Sequence, residues 1–427
     1  FNKPKIQWVD WDEDGDSDLF LLDEDGCLKY YKNNGFYNND FSFELITTCF
    51  ESINNINWFY FADYDSDFDY DLVTQDPNNI DCLIYYENIA GMLNYIGSIT
   101  NLVDENISIQ SVMTPTFIDI DNDQDLDFFV GNIIGTVSFY ENQGFINNKP
   151  VLELVTDFWE EIYIVGSSLN NRHGASAINF IDLDNDSDFD LSWGDYYQQS
   201  LYIITNIGDQ DNPIMDIDNI INQYPLNDPI VTAGLNMPTF TDIDLDGDKD
   251  LFVTVMSGAF GYQLVNNFYF YRNEPVDGLS VFEKITDNFI DTFDLLSDIN
   301  PEYFDFDNDS DLDLIIGTDF DPTNFPWVGK LVLFENIGLD ENNEPIWSLL
   351  DDSYLGEELG NNLSPVTVDI DSDNDLDLFI GNFNGTIQFF ENIGNQESPN
   401  YEFIELLSDI DLSGYSSPEF IDMDSDQ

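Results

Sequence analysis

Aspartate recurs in this chain at alternate positions, in seven copies of the pattern Asp-x-Asp-x-Asp-x-Asp-x-Asp followed by an apolar residue. The first copy holds Asp10, Asp12, Asp14, Asp16 and Asp18, and the second Asp63, Asp65, Asp67, Asp69 and Asp71. The third holds Asp119, Asp121, Asp123, Asp125 and Asp127, and the fourth Asp182, Asp184, Asp186, Asp188 and Asp190. Asp242, Asp244, Asp246, Asp248 and Asp250 form the fifth, and Asp305, Asp307, Asp309, Asp311 and Asp313 the sixth. The seventh is Asp369, Asp371, Asp373, Asp375 and Asp377, and an eighth opens at Asp422 and stops after Asp426. Alternate residues of a curled loop can turn inward together. Positions one, three and five then offer side-chain oxygens, position seven a backbone carbonyl and position nine a carboxylate. Calcium accepts about six to eight such oxygens in a flexible shell, whereas magnesium demands a tight octahedron and keeps several waters. Two like charges ~4 Å apart cost about 4 kcal/mol at an effective dielectric near 20, so five carboxylates in one loop call for a cation. The expectation is Ca²⁺ at about one ion per repeat, up to seven. An EF-hand is excluded, because it needs a bidentate Glu at position twelve and flanking helices. Here that position holds Leu21, Thr74, Val130, Trp193, Val253, Ile316 and Ile380.

The segments around each loop recur with it, the copies starting 53 to 64 residues apart. A short segment precedes the loop, as in PTFID at 115–119, PTFTD at 238–242 and PEYFD at 301–305. An apolar run follows, such as LFLL at 19–22 or LFIG at 378–381, then a turn such as GNFNGT at 381–386. Next comes an aromatic stretch ending in Asn, such as FYEN at 139–142, and a looser last stretch such as YEFI at 401–404. These are strand signals: short, aromatic and β-branched, bounded by Gly, Asn and Pro. No long helical periodicity competes with them. Four short strands make one antiparallel blade, and a blade buries both faces only by radial repetition. The expected fold is all-β: a seven-bladed β-propeller over 1–415, with 416–427 as the truncated start of an eighth repeat. A fragment of an eight-bladed ring is the alternative.

In this order of strand, acidic loop, apolar strand, Gly-Asn turn and aromatic strand with Glu-Asn-x-Gly, the chain resembles the FG-GAP/VCBS repeats and, more distantly, the integrin α-subunit propeller. The resemblance covers essentially the whole chain. It implies that each acidic loop joins the first and second strands of a blade, on one face of the ring. It also implies a family of adhesins, lectins and propellers of polysaccharide-degrading enzymes. The sequence departs from the family pattern at loop position six. Glycine stands there only as Gly15 and Gly247; Phe68, Gln124, Ser187, Ser310 and Asn374 fill the other loops. Those five are expected to turn less tightly.

Composition narrows the partners. Ten Lys+Arg against 86 Asp+Glu give a formal charge of −76, which repels nucleic acid and anionic membranes and attracts cations. No apolar run reaches membrane-spanning length, so direct insertion is not expected. Cys27, Cys49 and Cys82 are too few for a disulfide framework and read as buried small hydrophobes, with a Cys27–Cys82 bridge as the alternative. The single histidine, His173, stands beside Arg172, either as a grip for an anion or as an ordinary surface pair. No catalytic motif surrounds it. The turns after the second strand are long in repeats four to six and carry aromatics: Tyr196 and Tyr197; Phe260 and Tyr262; Phe320, Phe325 and Trp327. They pack either on themselves or against a ligand, with Tyr196, Tyr197, Phe260, Tyr262, Phe325 and Trp327 as the candidate stacking residues. The chain opens and stops inside repeats, so it reads as part of a longer polypeptide. The function expected is a secreted or cell-surface, calcium-binding, non-enzymatic adhesion or recognition module for glycans or proteins. Alternatives are the propeller of a polysaccharide lyase or hydrolase, and a structural spacer.

Overall fold

A computed structural model describes residues 4–37, 40–109, 113–164, 176–263, 266–276, 278–290, 298–320, 327–339, 345–356, 359–407 and 414–421. Among them are strands and two short 3₁₀ turns, Phe50–Ser52 and Trp159–Glu161, and no α-helix. The strands form the expected antiparallel meanders. The first blade runs Lys5–Val9, Asp18–Leu22, Leu28–Tyr37 and Asp40–Thr47, each strand paired with the next. Six blades have four strands. The fourth blade has three, because its last strand is broken into isolated bridges such as Ile203 with Ile221.

Position nine of every acidic loop is the first residue of the second strand, from Asp18–Leu22 in blade one to Asp377–Gly381 in blade seven. This strand lies mid-sheet and is almost wholly buried, as its doubly apolar sequence requires. In repeats three, four, six and seven it ends in or passes through a glycine: Gly131, Gly194, Gly317 and Gly381. A Cβ on any of them would overlap Ser176, Asn236, Leu363 or Ser416, at the start of the next repeat's first strand. Those glycines let consecutive blades close on one another.

The chain divides into two compact units, 1–292 and 293–427. In the first, each inner strand is tied to the next around a circle. Gln7 exchanges hydrogen bonds with the Phe61 backbone at 2.6 and 2.7 Å, and the Tyr60 hydroxyl donates to the Phe117 carbonyl at 3.1 Å. The Thr114 N–H donates to the Ser176 carbonyl at 3.0 Å, in a parallel bridge, and Asn179 Nδ2 donates to the Pro238 carbonyl at 3.1 Å. The circle then closes on blade one: Ser17 and Thr241 share a hydroxyl hydrogen bond of 3.0 Å, and the Trp8 ring lies 4.6 Å from Phe252. Wedges of buried side chains fill each gap. Phe20, Phe61 and Leu72 join blades one and two; Trp58, Phe117 and Phe128 join two and three. Phe129, Phe180 and Trp193 follow, then Leu201, Leu251 and Phe282. Leu19, Leu21, Phe252, Phe268 and Phe270 fill the gap between blades five and one. Each fully buried side chain of this kind stabilises by roughly 1.5–3 kcal/mol relative to exposure.

The propeller class expected from the sequence is the class found. Both faces of blade one are covered within 1–292, by blades two and five, so the ring closes after five blades. The sequence counts repeats; the closing number is set by the wedge of aromatic side chains between sheets. Blades six and seven make up the second unit, packed through Ile315, Leu333, Leu363, Leu378 and Ile380. There the eighth repeat's opening residues have begun to pack on blade seven. The Asn382 N–H donates to Ser416 Oγ at 2.8 Å and the Phe420 ring lies 4.6 Å from Phe379. The rest of that repeat, including Asp422 and Asp426, lies outside the described residues.

The cysteines also differ from expectation. Cys27 pairs with Cys49 in a disulfide, with Cα atoms 4.9 Å apart, and Cys82 is free and buried. The Cys27–Cys82 alternative fails because Cys49 opens the 3₁₀ turn at Phe50–Ser52, whose Ile53 carbonyl accepts the Leu28 N–H. That contact lays Cys49 against the strand following Cys27.

Candidate metal centres

All seven acidic loops have one backbone shape. Position four is left-handed in each: Glu13, Ser66, Asn122, Asn185, Leu245, Asn308 and Ser372 have φ between 60° and 65°. Position six is left-handed too, at 99° and 102° for Gly15 and Gly247, and at 75–81° for Phe68, Gln124, Ser187, Ser310 and Asn374. The five loops without glycine therefore turn as fully as the two with it, contrary to the looser turn expected. A non-glycine residue in this region costs roughly 1–2 kcal/mol. Local hydrogen bonds hold the shape. Position one accepts the position-six N–H in every loop, at 2.9 Å for Asp242 from Gly247 and 3.2 Å for Asp305 from Ser310. Position five accepts the position-seven N–H, as Asp246 does from Asp248 at 3.0 Å.

This curl brings positions one, three and five together. Asp10, Asp12 and Asp14 can place one carboxylate oxygen each within 4.8 Å of one another. So can Asp63, Asp65 and Asp67; Asp119, Asp121 and Asp123; Asp182, Asp184 and Asp186; and Asp242, Asp244 and Asp246. Two further groups of this kind exist.

Position seven was expected to offer its backbone carbonyl, and its side chain also turns into the loop. Asp16, Asp69, Asp125, Asp188, Asp311 and Asp375 each have a buried Oδ1 without a hydrogen-bond partner. Unpaired buried carboxylate oxygens are costly, and in native structures such an atom marks an ion or water. Asp188 and Asp375 are 3% and 7% exposed. The pKa values of Asp16, Asp69, Asp125, Asp188 and Asp375 are pushed up to about 6, by burial first and then by neighbouring aspartates.

Position nine has a structural job beside the ligand role expected of it. Its carboxylate turns under the loop and accepts the backbone N–H of the asparagine that ends the aromatic strand. Asn33 donates to Asp18 at 2.7 Å, Asn88 to Asp71 at 2.8 Å and Asn142 to Asp127 at 3.0 Å. Asn206, Asn273, Asn336 and Asn392 do the same to Asp190, Asp250, Asp313 and Asp377. The second oxygen, Oδ2, accepts the position-two N–H in Asp18, Asp190, Asp313 and Asp377, and lacks a well-aligned partner in Asp127 and Asp250. Asp71, Asp190 and Asp250 are raised to about 7 and Asp127 to about 8, chiefly by burial, against the lowering effect of the asparagine N–H. The asparagine is the residue that sequence reasoning missed. Its side chain grips the loop from below, Asn142 Nδ2 donating to the Leu126 carbonyl at 3.1 Å, while its Oδ1 accepts the Gly144 N–H at 3.0 Å. The recurring Glu-Asn-x-Gly was the signal that could have revealed it.

The orphaned oxygens, the clustered carboxylates and the all-oxygen donor set fit a hard divalent cation such as calcium. In the five-bladed unit the inner strands run parallel around a cavity of about 260 Å³, and each acidic loop leaves the end of one of them. All five loops therefore lie at one end. The turns after the second strands lie at the other.

The candidate stacking residues fall into separate groups. The Tyr196 and Tyr197 rings stand 5.1 Å apart. The Tyr196 carbonyl accepts the Ala259 N–H at 2.7 Å, which seats a small hairpin, Ser257–Gly258 with Gly261–Tyr262, beside this turn. Gly234 and Gly258 permit that approach, since a Cβ on Gly258 would overlap the Gly234 backbone. Phe260 and Tyr262 at the hairpin are 55% and 71% exposed. Trp327 belongs to the second unit and packs on Phe320 at 5.7 Å while remaining 59% exposed. Phe325, Arg172 and His173 lie outside the described residues.

No protein-family model matches the chain, and no curated protein matches it. Among solved structures the chain is similar to the periplasmic gluconolactonase PpgL of Pseudomonas aeruginosa, at 11% identity and a TM-score of 0.31 over 92% of this chain and 95% of that one.

Proposed function

We propose that this chain is a calcium-binding propeller of the FG-GAP/VCBS type, acting outside the cell as a non-enzymatic recognition module for glycans or proteins. One observation carries the metal reading: the same buried, unpartnered carboxylate oxygen at position seven of six loops. The Cys27–Cys49 disulfide supports an extracellular setting, because such bonds persist in oxidising compartments. The exposed aromatics at the Tyr262 hairpin and at Trp327 support ligand contact by stacking.

Linkage gives roughly 1.4 kcal/mol per site when free calcium is about ten times the dissociation constant. Several sites together are then comparable to the whole stability of a typical domain. The test is thermal melting of the intact chain in low-salt buffer, in chelator, calcium or magnesium at matched ionic strength, with elemental analysis of the dialysed protein. A melting temperature that falls in chelator and recovers with calcium more than with magnesium is expected. An unchanged melting curve and no retained ion would sink the metal reading. A glycan array on the calcium-loaded protein tests the recognition reading, and binding to no glycan or protein would leave a spacer.

A further inference from the structure

The acidic loops share one backbone shape but not one electrostatic setting. The difference lies in the residue just before the bridging asparagine, on the aromatic strand that runs beneath each loop. In repeats two, three, six and seven it is Glu87, Glu141, Glu335 and Glu391; in repeat four it is Thr205. In repeats one and five it is a cation, Lys32 or Arg272. These two are drawn from only ten Lys+Arg in the chain.

In repeat one, Lys32 Nζ forms ion pairs with Asp12 and with Asp14, the latter at 3.3 Å, so the ammonium bridges two of the carboxylates that would hold an ion. In repeat five, Arg272 Nε stands 3.2 Å from Asp244 Oδ2, as an ion pair rather than an aligned hydrogen bond. In repeats two and three the same place holds an acid. Unpartnered carboxylate oxygens remain in both kinds of loop, on the fully buried Asp127 and on Asp125 in loop three, on the 7% exposed Asp375 in loop seven, and on Asp16 in loop one and the buried Asp250 in loop five, so the cation is what distinguishes them. In loop one both position-nine oxygens are satisfied, as they also are in loops two, four, six and seven. Asp18 Oδ1 takes the Asn33 N–H, and Oδ2 takes the Trp11 N–H and the Tyr30 hydroxyl.

We propose that this residue selects which loops take calcium. Glu87 and Glu141 add a carboxylate to the sites of repeats two and three, whereas Lys32 and Arg272 supply the protein's own cation to repeats one and five. The proposal rests on the calcium reading above. Its physical basis is ligand charge count, the variable by which oxygen sites tune calcium affinity. Exchanging lysine for glutamate changes the local charge by two.

The placement has a structural consequence. Blades one and five are the pair that closes the ring, through Ser17, Thr241 and the aromatic wedge of Trp8, Phe252 and Phe268. A cation built into the chain on each side of that seam keeps both loops neutralised when calcium is withdrawn. Calcium dependence then falls on blades two and three, while the seam stays shut.

Calorimetric titration of calcium into the chelator-treated full chain at low salt tests this. Wild type is expected to bind fewer tight ions than its seven loops. Lys32→Glu and Arg272→Glu are each expected to add one tight site, and Glu141→Lys to remove one. Because a glutamate at position 32 adds strain to an apo loop, Lys32→Gln is the control: its melting temperature drops in chelator and is restored by calcium. Hydrogen exchange in chelator gives an independent readout, with the strands at 18–22 and 250–255 keeping more protection than those at 71–76 and 127–131. Seven equivalent ions on wild type, or a stoichiometry unmoved by Lys32→Glu and Glu141→Lys, overturns this proposal and leaves the calcium reading standing. No ion on wild type or any variant overturns both.

Discussion

The loops of repeats three and five share an isoleucine at position two and differ at the other three positions that are not aspartate, yet they fold alike. Loop five has Gly247 at the tight turn and Arg272 beneath; loop three has Gln124 and Glu141. Gly247 and Gln124 both adopt positive φ, and both loops fasten position nine to an asparagine N–H, at 2.8 and 3.0 Å. The shape is therefore a property of the aspartate register and of the strand below it. The difference lies in what the shape stores. Both loops carry a left-handed non-glycine residue at position four and buried, unpartnered oxygens, on Asp121, Asp125 and Asp127 in loop three and on Asp244 and Asp250 in loop five; loop three adds a strained Gln124, and loop five has a guanidinium beside Asp244. Identical geometry thus sits in two different electrostatic settings.

The comparison breaks most severely at position nine. Asp127→Ala removes the acceptor for the buried Asn142 N–H and is expected to cost about 1–3 kcal/mol in calcium and in chelator alike. Asp127→Asn keeps an acceptor but removes the charge, so its melting temperature should rise in chelator and fall in calcium. A loss of equal size in both buffers would show that Asp127 only braces the strand.

The pH profile of the chelated protein comes next. An aspartate raised in the folded state binds its proton on folding, so its stabilising effect is complete below about pH 4, its unfolded value. That effect is lost as pH rises through about 6 for Asp125 and about 8 for Asp127. Metal-free protein should therefore melt at a higher temperature at pH 5 than at pH 8. With calcium the order should reverse, because protons compete with the ion. Melting scans across that range in both buffers decide it.

A smaller effect is expected at the turn. Phe68→Gly and Ser187→Gly relieve positive φ and should stabilise by about 1 kcal/mol, and Gly247→Ala should destabilise by a similar amount. No side chain or backbone lies within 4 Å of a Cβ placed at Gly247, so any cost there is conformational alone. Denaturant titration of the three variants would expose a hidden packing role if Phe68→Gly proved destabilising. Least of all should stability respond to Tyr262→Ala, a change of under ~0.5 kcal/mol at an exposed hairpin. Glycan or protein binding should weaken in this variant, and a shifted melting temperature with intact binding would mark Tyr262 as packing only.

Much of this was legible in the residues. Alternating aspartates placed the loops, and the position-nine residue marked the start of every second strand, because both are local features of a few consecutive residues. The four-strand unit was readable for the same reason: apolar runs bounded by Gly, Asn and Pro report strand ends without reference to distant contacts. The paired role of Asp127 and Asn142 was not readable, since the two residues meet only when the second and third strands pair. Nor was the inward turn of Asp188 and Asp375, which follows from two consecutive left-handed kinks that no single residue type announces.

What the sequence by itself determined is the repeat: its length, its acidic loop and its sheet order. Only the tertiary structure decided how many repeats make a ring, which cysteines pair and which loops contain a cation of the chain's own. The physical reason is range. Hydrogen-bonding register and turn geometry are settled within some twenty residues, and every repeat settles them alike. Closure depends on the angle between sheets, and that angle is set by side chains such as Trp8, Phe252 and Phe268, which are distant in sequence and meet only when blade five reaches blade one.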